Sequence, residues 1–358
     1  MSIFRLMRLR LSIGLSLFLA LNACVINNTS ERLLADYVQR VENATGMNAQ
    51  TSRSSTVLLA YPTQRLLKLP MDDMRISVAD YMGLRHCRLF NLVSERNSLL
   101  GKVMPLSQQL VYEIEFLREA AICRQRLKTD SKGDKPTDQA LLEMIQAKRK
   151  TFPIVFWNAT FASPEMAKVF SQAADALPLD ENNTHIDSRQ AIDYLINLGE
   201  QAPQFATKPD IAELEEQYFA LQLHRYGGRL LKSVAELSDT LNRAADALER
   251  MMEKGPVCRQ NKPIKKARIL KNVFSKYYVG TVQRHLSRID RQGQQWLEAI
   301  EHFVRIQQVE LPPAFANYRA RMLALDGKLW QGFRNATKRH TLAWKSLFDQ
   351  CGLLPQTE

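Results

Sequence analysis

The sequence predicts an all-α protein, an N-terminal helical region packed with a C-terminal long antiparallel three-helix bundle. Three observations carry this. Glycine and proline, at 14 each, make up about 8 % of the 358 residues, against about 12 % in average usage, too few chain-breakers for a turn-dense β-sandwich. Apolar residues in the C-terminal half recur at alternating spacings of four and three, the period of a helical seam. A hydrophobic content of 45 % with a mean hydropathy of −0.28 excludes both a disordered chain and a polytopic membrane protein. The length implies about two domains.

The elements follow in order. Residues 1–23 read as a leader and 24–55 as a tether, a short helix and a loop. The helix covers Glu31–Glu42, with Leu33, Leu34, Tyr37, Val38 and Val41 on one face; the polar loop covers Met47–Ser55. In the N-terminal helical region, 56–204, Pro62 and Pro70 bracket an extended segment. Helical periodicity then covers Arg75–Arg96, stops at a polar loop from Asn97 to Pro105, and resumes over Leu106–Leu127. Gly101 and Pro105 are the breakers. Helices are expected near Thr137–Arg149, Ser163–Ala176 and Asp187–Leu198. Ser163 before Pro164 is an N-cap with proline in the first turn. Asp187 and Gln190 have capping-box spacing.

In the region 205–358, three seams run from Leu230 to Met251, from Val279 to Phe303 and from Phe315 to Ala336. Breaks at Gly255-Pro256 and Pro312-Pro313 divide it into helices over Ile211–Lys254, Ile264–Val309 and Ala314–Gln350. At 1.5 Å per residue each would be roughly 60 Å long. Gly227-Gly228 is expected to kink the first.

The leader has its own chemistry. Arg5, Arg8 and Arg10 precede an apolar stretch of 13 residues, Leu11–Ala23. A spanning helix needs about 20, so the stretch reads as a signal-peptide core. It ends in Leu21-Asn22-Ala23-Cys24, which resembles the lipobox of bacterial lipoproteins, with Asn22 where a small or hydroxyl residue is usual. The resemblance implies cleavage before Cys24 and its lipidation. Three acyl chains, at about 0.8 kcal/mol per buried methylene, would anchor the chain permanently. Val25 rather than Asp follows the cysteine, which by the same resemblance implies the periplasmic face of the outer membrane.

Loss of the leader's three arginines lowers the formal net charge from +12 to +9. For a chain in the cell envelope, the acidic partners are phospholipid headgroups, lipopolysaccharide phosphates and peptidoglycan carboxylates rather than nucleic acid. The densest basic run is Lys262, Lys265, Lys266, Arg268, Lys271 and Lys276. It falls at a helix start, where positive charge opposes the helix dipole; it is either an anionic contact or a solvated face. Of the five cysteines, four remain besides Cys24. In an oxidising compartment they suggest two disulfides. In an up-down-up bundle the ends of the first and third helices share a pole, which pairs Cys258 with Cys351. Cys87 and Cys123 lie at equal height about the loop near residue 101, which pairs them.

Catalytic motifs are few. None of the six histidines has a glutamate three residues before it, so a di-iron bundle pattern is missing. No H-E-x-x-H, P-loop, G-x-S-x-G or C-x-x-C occurs, so no metal or cofactor is expected. Ser98 and Lys102 are four apart, not the three of an S-x-x-K motif. Two segments stand out as candidate binding residues. In the loop Glu95–Pro105, Arg96 and Lys102 could hold an anionic group, with Asn97 and Ser98 as hydrogen-bond partners. Alternatively Arg96 and Asn97 cap a helix C-terminus. Phe152–Phe161 holds four aromatics in ten residues, Trp157 among them, with Asn158 beside it; they pack a core or line a groove, and Asn158 would then bond loop backbone.

Three stretches, S-E-R-N-S-L-L-G-K-V-M, F-W-N-A-T-F and R-Y-G-G-R-L-L, together resemble a family of Gram-negative lipoproteins, domain of unknown function 3080. The resemblance spans most of the mature chain and brings no activity, ligand or partner. The expected function is therefore a non-enzymatic envelope lipoprotein acting as an interaction or scaffold protein. It would be held to the membrane by its lipid, with an envelope protein or anionic lipid as partner. The alternatives are a small-molecule or lipid-binding module around Arg96, Phe156 and Trp157, and a hydrolase of envelope polymers.

Overall fold

The structure, a computed structural model, describes residues 29–48, 57–71, 74, 76–129, 135–179 and 184–354. The leader, Cys24 and most of the Met47–Ser55 loop lie outside them. Every regular element among the described residues is helical. They are α1 (Thr29–Thr45), α2 (Gln64–Leu67), α3 (Val78–Gly83), α4 (Arg88–Asn97), α5 (Leu99–Lys102), α6 (Leu106–Thr129), α7 (Lys135–Ala159), α8 (Pro164–Val169), α9 (Thr184–Gln201), α10 (Ile211–His224), α11 (Tyr226–Glu253), α12 (Lys265–Val273), α13 (Gln283–Arg305), α14 (Pro313–Tyr318) and α15 (Lys328–Gln350). A π-helical stretch, Phe274–Val282, joins α12 to α13, and another, Arg319–Leu323, follows α14.

In the C-terminal bundle α11 and α15 run side by side, with α12–α13 returning in the opposite sense. Arg339 on α15 meets Glu249 on α11 at 3.2 Å. The helix α1 joins them as a fourth member, parallel to α11: Glu42 meets Arg243 at 3.4 Å, and Lys266 donates to the Thr45 carbonyl at 2.8 Å. Of the face the spacing predicts, Leu34, Tyr37, Val38 and Val41 are buried and Leu33 is half-buried. Between the helices the rings bond one another. Tyr37 Oη lies 2.6 Å from His340 Nε2, and Trp344 Nε1 donates to Tyr37 Oη at 3.1 Å.

The long helices are more broken than their periodicity suggests. Ile211–Lys254 divides at Arg225, which takes the left-handed conformation at φ 47°. The cause is non-local: a Cβ at Gly228 would fall on the Ser171 carbonyl, so the start of α11 must approach the end of α8 at backbone distance. The second helix is continuous from Lys265 to Arg305, but its π-helical stretch shifts the seam by widening the turn. The third is interrupted before Lys328, with Ala324 extended.

In the N-terminal region α6 and α7 form an antiparallel hairpin, clamped by Lys148–Glu113 at 2.6 Å and Arg124–Asp138 at 3.0 Å. α7 continues ten residues past the predicted end at Arg149 and runs through Pro153. Proline forfeits one helical bond, and burial of Phe152, Val155, Phe156 and Trp157 carries the helix across it. The predicted helix Arg75–Arg96 splits, because Cys87 is extended as the N-cap of α4, where it is tied to Cys123. Both expected disulfides form, with Cα–Cα distances of 5.5 Å for Cys87–Cys123 and 5.1 Å for Cys258–Cys351. Ser163 caps α8 as expected, accepting from the Met166 amide at 3.1 Å, but α8 ends at Val169 rather than Ala176. Asp187 does not cap α9, which begins at Thr184; it faces His224 at 3.2 Å.

The segment 57–71 crosses these helices as a strap. Tyr61 stacks on Phe170 and donates to the Phe161 carbonyl at 2.7 Å. Gln172 donates to the Leu59 carbonyl at 2.6 Å. Between Pro62 and Pro70 the chain makes one helical turn, α2, where an extended segment was expected.

Candidate functional site

Where the strap leaves the core, Met71 stands between two clefts of about 510 and 490 Å³. The first lies between α4, α5 and the α6–α7 hairpin. Its apolar lining comes from Val93, Phe116 and Met144, with Met71, Met74 and Ile76 at its mouth. Its polar lining is Arg96, Asn97, Lys102, Tyr112, Glu113, Lys148 and Thr151.

Local sequence explains the polar side. Arg96 ends α4, and its guanidinium donates to the Gly101 carbonyl while lying 5.9 Å over the Tyr112 ring. Ser98 starts α5: its hydroxyl accepts from the Gly101 amide at 3.1 Å and donates to the Glu95 carbonyl at 2.7 Å. Arg96 thus closes the α4–α5 turn through the Gly101 carbonyl, while the last turn of α4 is capped by the Ser98 amide on the Glu95 carbonyl. Lys102 is exposed at the end of α5. Lys148 donates to both oxygens of Glu113, at 2.8 and 2.6 Å, and its ammonium sits 4.6 Å from the Phe116 ring. Burial raises the Tyr112 pKa, with Glu113 adding to the rise, so the phenol stays protonated at neutral pH. The described lining thus holds three cations against one carboxylate.

The second cleft is edged by Arg65 and Lys68 and floored by Leu106 and Val155. Asn158 lines it, but both ends of its amide are engaged: Oδ1 accepts from the Leu69 amide and Nδ2 donates to the Leu69 carbonyl, each at 2.9 Å. Trp157 is fully buried and donates from Nε1 to the Leu67 carbonyl at 2.7 Å. The structure thus brings Arg96, Asn97 and Lys102 to one cleft and Asn158 to its neighbour. It places Trp157 in the core, holding the strap. Phe156 is likewise buried. Sequence reasoning missed Met71, Met74, Tyr112, Glu113 and Lys148; the one local signal was the Met-rich run after Pro70.

Elsewhere, the basic run is only partly free. Lys266 is bonded to Thr45, and Lys276 lies 5.5 Å from the Tyr277 ring, while Lys262, Lys265, Arg268 and Lys271 are exposed. A third cleft of about 410 Å³ between α1 and α11 is edged by charges of both signs, Glu31, Lys232, Glu236 and Arg243. Burial raises the Glu236 pKa. Among the described residues no group of three or more His, Cys, Asp or Glu could hold a metal ion, and no helix is long and apolar enough to cross a membrane.

Fold and site define an all-α protein, twice disulfide-linked, with a cation-edged apolar cleft on its outer hairpin. The chain belongs to the family described as protein of unknown function (DUF3080), whose model matches residues 34–355. No curated protein and no solved structure matches the chain.

Proposed function

We propose that this protein is a non-enzymatic lipoprotein of the cell envelope, anchored through Cys24, whose first cleft binds an anionic amphiphile. The observation that carries the reading is the juxtaposition in one open cleft of Arg96 and Lys102 with Val93, Phe116, Met144 and Met71. Cations beside an apolar floor suit a ligand with an acidic head and a hydrocarbon body. Binding is preferred to catalysis because the lining carboxylate, Glu113, is taken up by Lys148.

Titration calorimetry of the full chain with dodecyl phosphate, and with dodecanol as the neutral analogue, tests the cleft. The phosphate should bind more tightly than the alcohol, and Lys102→Ala should weaken it roughly tenfold, the worth of one charge-assisted contact. Equal affinity for both compounds, or no effect of Lys102→Ala, counts against the reading. The anchor has a separate test. Labelled palmitate should enter the chain and be lost in Cys24→Ala; undiminished label removes the anchor.

A second reading, a scaffold that contacts another envelope component, is supported by the exposed cations at the start of α12. Crosslinked envelopes should then yield one reproducible partner, lost when Lys265 and Arg268 are changed to Glu; recovery of the same partner by that variant argues against it.

A further inference from the structure

Sixteen large apolar side chains stand exposed among the described residues, and seven of them fall between residues 71 and 103. The four most exposed, Leu99 at 85 %, Leu100 at 83 %, Val78 at 79 % and Val103 at 76 %, are all in that stretch. Leu99 and Leu100 lie in the single turn α5, and Val103 is its C-cap. Scattered exposed leucines are ordinary; a cluster on one projecting turn marks a contact surface.

The turn is built to be held in shape while presenting these side chains. Several of its backbone groups are paired locally: the Ser98 amide to the Glu95 carbonyl at 3.2 Å, the Lys102 amide to the Ser98 carbonyl at 3.2 Å and the Val103 amide to the Leu100 carbonyl at 3.2 Å. The Ser98 hydroxyl takes the Gly101 amide, and Arg96 takes the Gly101 carbonyl. Gly101 has no room for a side chain, since a Cβ there would strike the carbonyl oxygens of Glu95 and Arg96. Each backbone group paired in this way is one fewer to lose its water when the turn meets an apolar medium. The charges agree with one such medium. Lys102 stands exposed between Leu100 and Val103, and Arg96 lies behind the turn; neither pairs with a carboxylate among the described residues.

We propose that the α5 turn is a membrane-contact element, inserting Leu99, Leu100 and Val103 into the interface of an anionic phospholipid bilayer while Lys102 meets the headgroups. Apolar side chains flanked by lysine are the chemistry of interfacial insertion, to a depth of about 5–10 Å, and each lysine near an anionic surface strengthens attachment about fivefold. The turn forms one wall of the first cleft, so this inference deepens the amphiphile-binding reading and rests on it for the ligand's source: the cleft would open toward the bilayer.

The four cysteines of the described residues are consumed by their disulfides and Cys24 is blocked where it is acylated, so a Leu100→Cys variant of the full chain takes an environment-sensitive nitrobenzoxadiazole label at residue 100; where Cys24 is free it is first changed to Ser. The expected result is a blue-shifted emission in phosphatidylglycerol-containing vesicles and a smaller shift in phosphatidylcholine vesicles. A label at Leu342→Cys, exposed on α15, should not shift. Adding Lys102→Ala should weaken the anionic-vesicle response about fivefold. No shift at residue 100, an equal shift in both vesicle types, or a shift that tracks protein rather than lipid concentration, as a second copy of the chain would give, overturns the proposal. Calorimetry of the same chain with dodecyl phosphate separates the two readings. A shift without dodecyl phosphate binding leaves this inference standing and removes the cleft reading; binding without a shift does the reverse.

Discussion

Between α1, α11 and α15 the bundle turns its aromatic side chains inward until they bond one another, Tyr37 to His340 and Trp344 to both. Around α3–α5 the chain does the opposite, leaving Val78, Leu99, Leu100 and Val103 in solvent and two clefts open beside Met71. Both regions are helical and both carry a disulfide. The difference lies in what their apolar side chains meet, and it separates residues that hold the fold from residues free to meet something else. Changes in the first region should therefore be read out as stability and changes in the second as binding.

The largest effect is expected at the junction of the two. Trp157→Ala removes a fully buried indole and the bond that holds Leu67 of the strap, and should cost about 3–5 kcal/mol in urea unfolding. A loss under about 1 kcal/mol would show that the strap and core are not coupled through it. Opening the pole of the bundle with Cys258→Ser and Cys351→Ser together should cost about 4 kcal/mol, because the bridge closes a loop with a sequence separation of 93. An unchanged melting temperature would sever the link between that bridge and the bundle.

Burial gives the bundle a pH dependence. It lowers the His340 pKa to about 3; burial, helped by Arg288, lowers that of His285 to about 4. The unfolded chain, titrating near 6.5, binds protons first. Stability is therefore full above about pH 6.5 and declines as the pH falls toward those values. Between pH 7 and pH 5 the fall should be about 2 kcal/mol from His340 alone, seen in urea midpoints and reduced in His340→Phe. A flat profile over that range would place the imidazole in water. The smallest stability effect belongs to the outer turn: Leu99→Asp with Leu100→Asp should leave the melting temperature within about 2 °C, as surface changes do. A larger fall would mean that these leucines pack inside the fold.

The helical class and both disulfides were legible in the sequence: the class follows from seam spacing, Cys258–Cys351 from the common pole of alternate helices and Cys87–Cys123 from equal height about the loop near residue 101. The break in the first long helix was legible as a kink at Gly227-Gly228, but not its position at Arg225, because an arginine carries no signal for a left-handed conformation. Its cause, the approach of Ser171 to Gly228, joins segments far apart in the chain. The same holds for α1. Its apolar face was plain, but its place beside α11 depends on contacts such as Glu42–Arg243 that no local pattern encodes. At the cleft, Arg96, Asn97 and Lys102 were visible as a polar loop between apolar helices. Lys148 and Met71 were not, since they reach the cleft from the α6–α7 hairpin and the strap. The aromatic segment around Trp157 reads first as core, with a groove as the alternative, and the indole is indeed fully buried.

Hydrogen exchange on the full chain in neutral and in anionic vesicles bears most directly on the division between the two regions. Amides of α11 and α15 should be equally slow in both, while those of 96–105 become slower in the anionic vesicles. Unchanged exchange at 96–105, with the slowing found instead at the basic start of α12, would contradict the assignment of the outer turn and cleft as the contact surface.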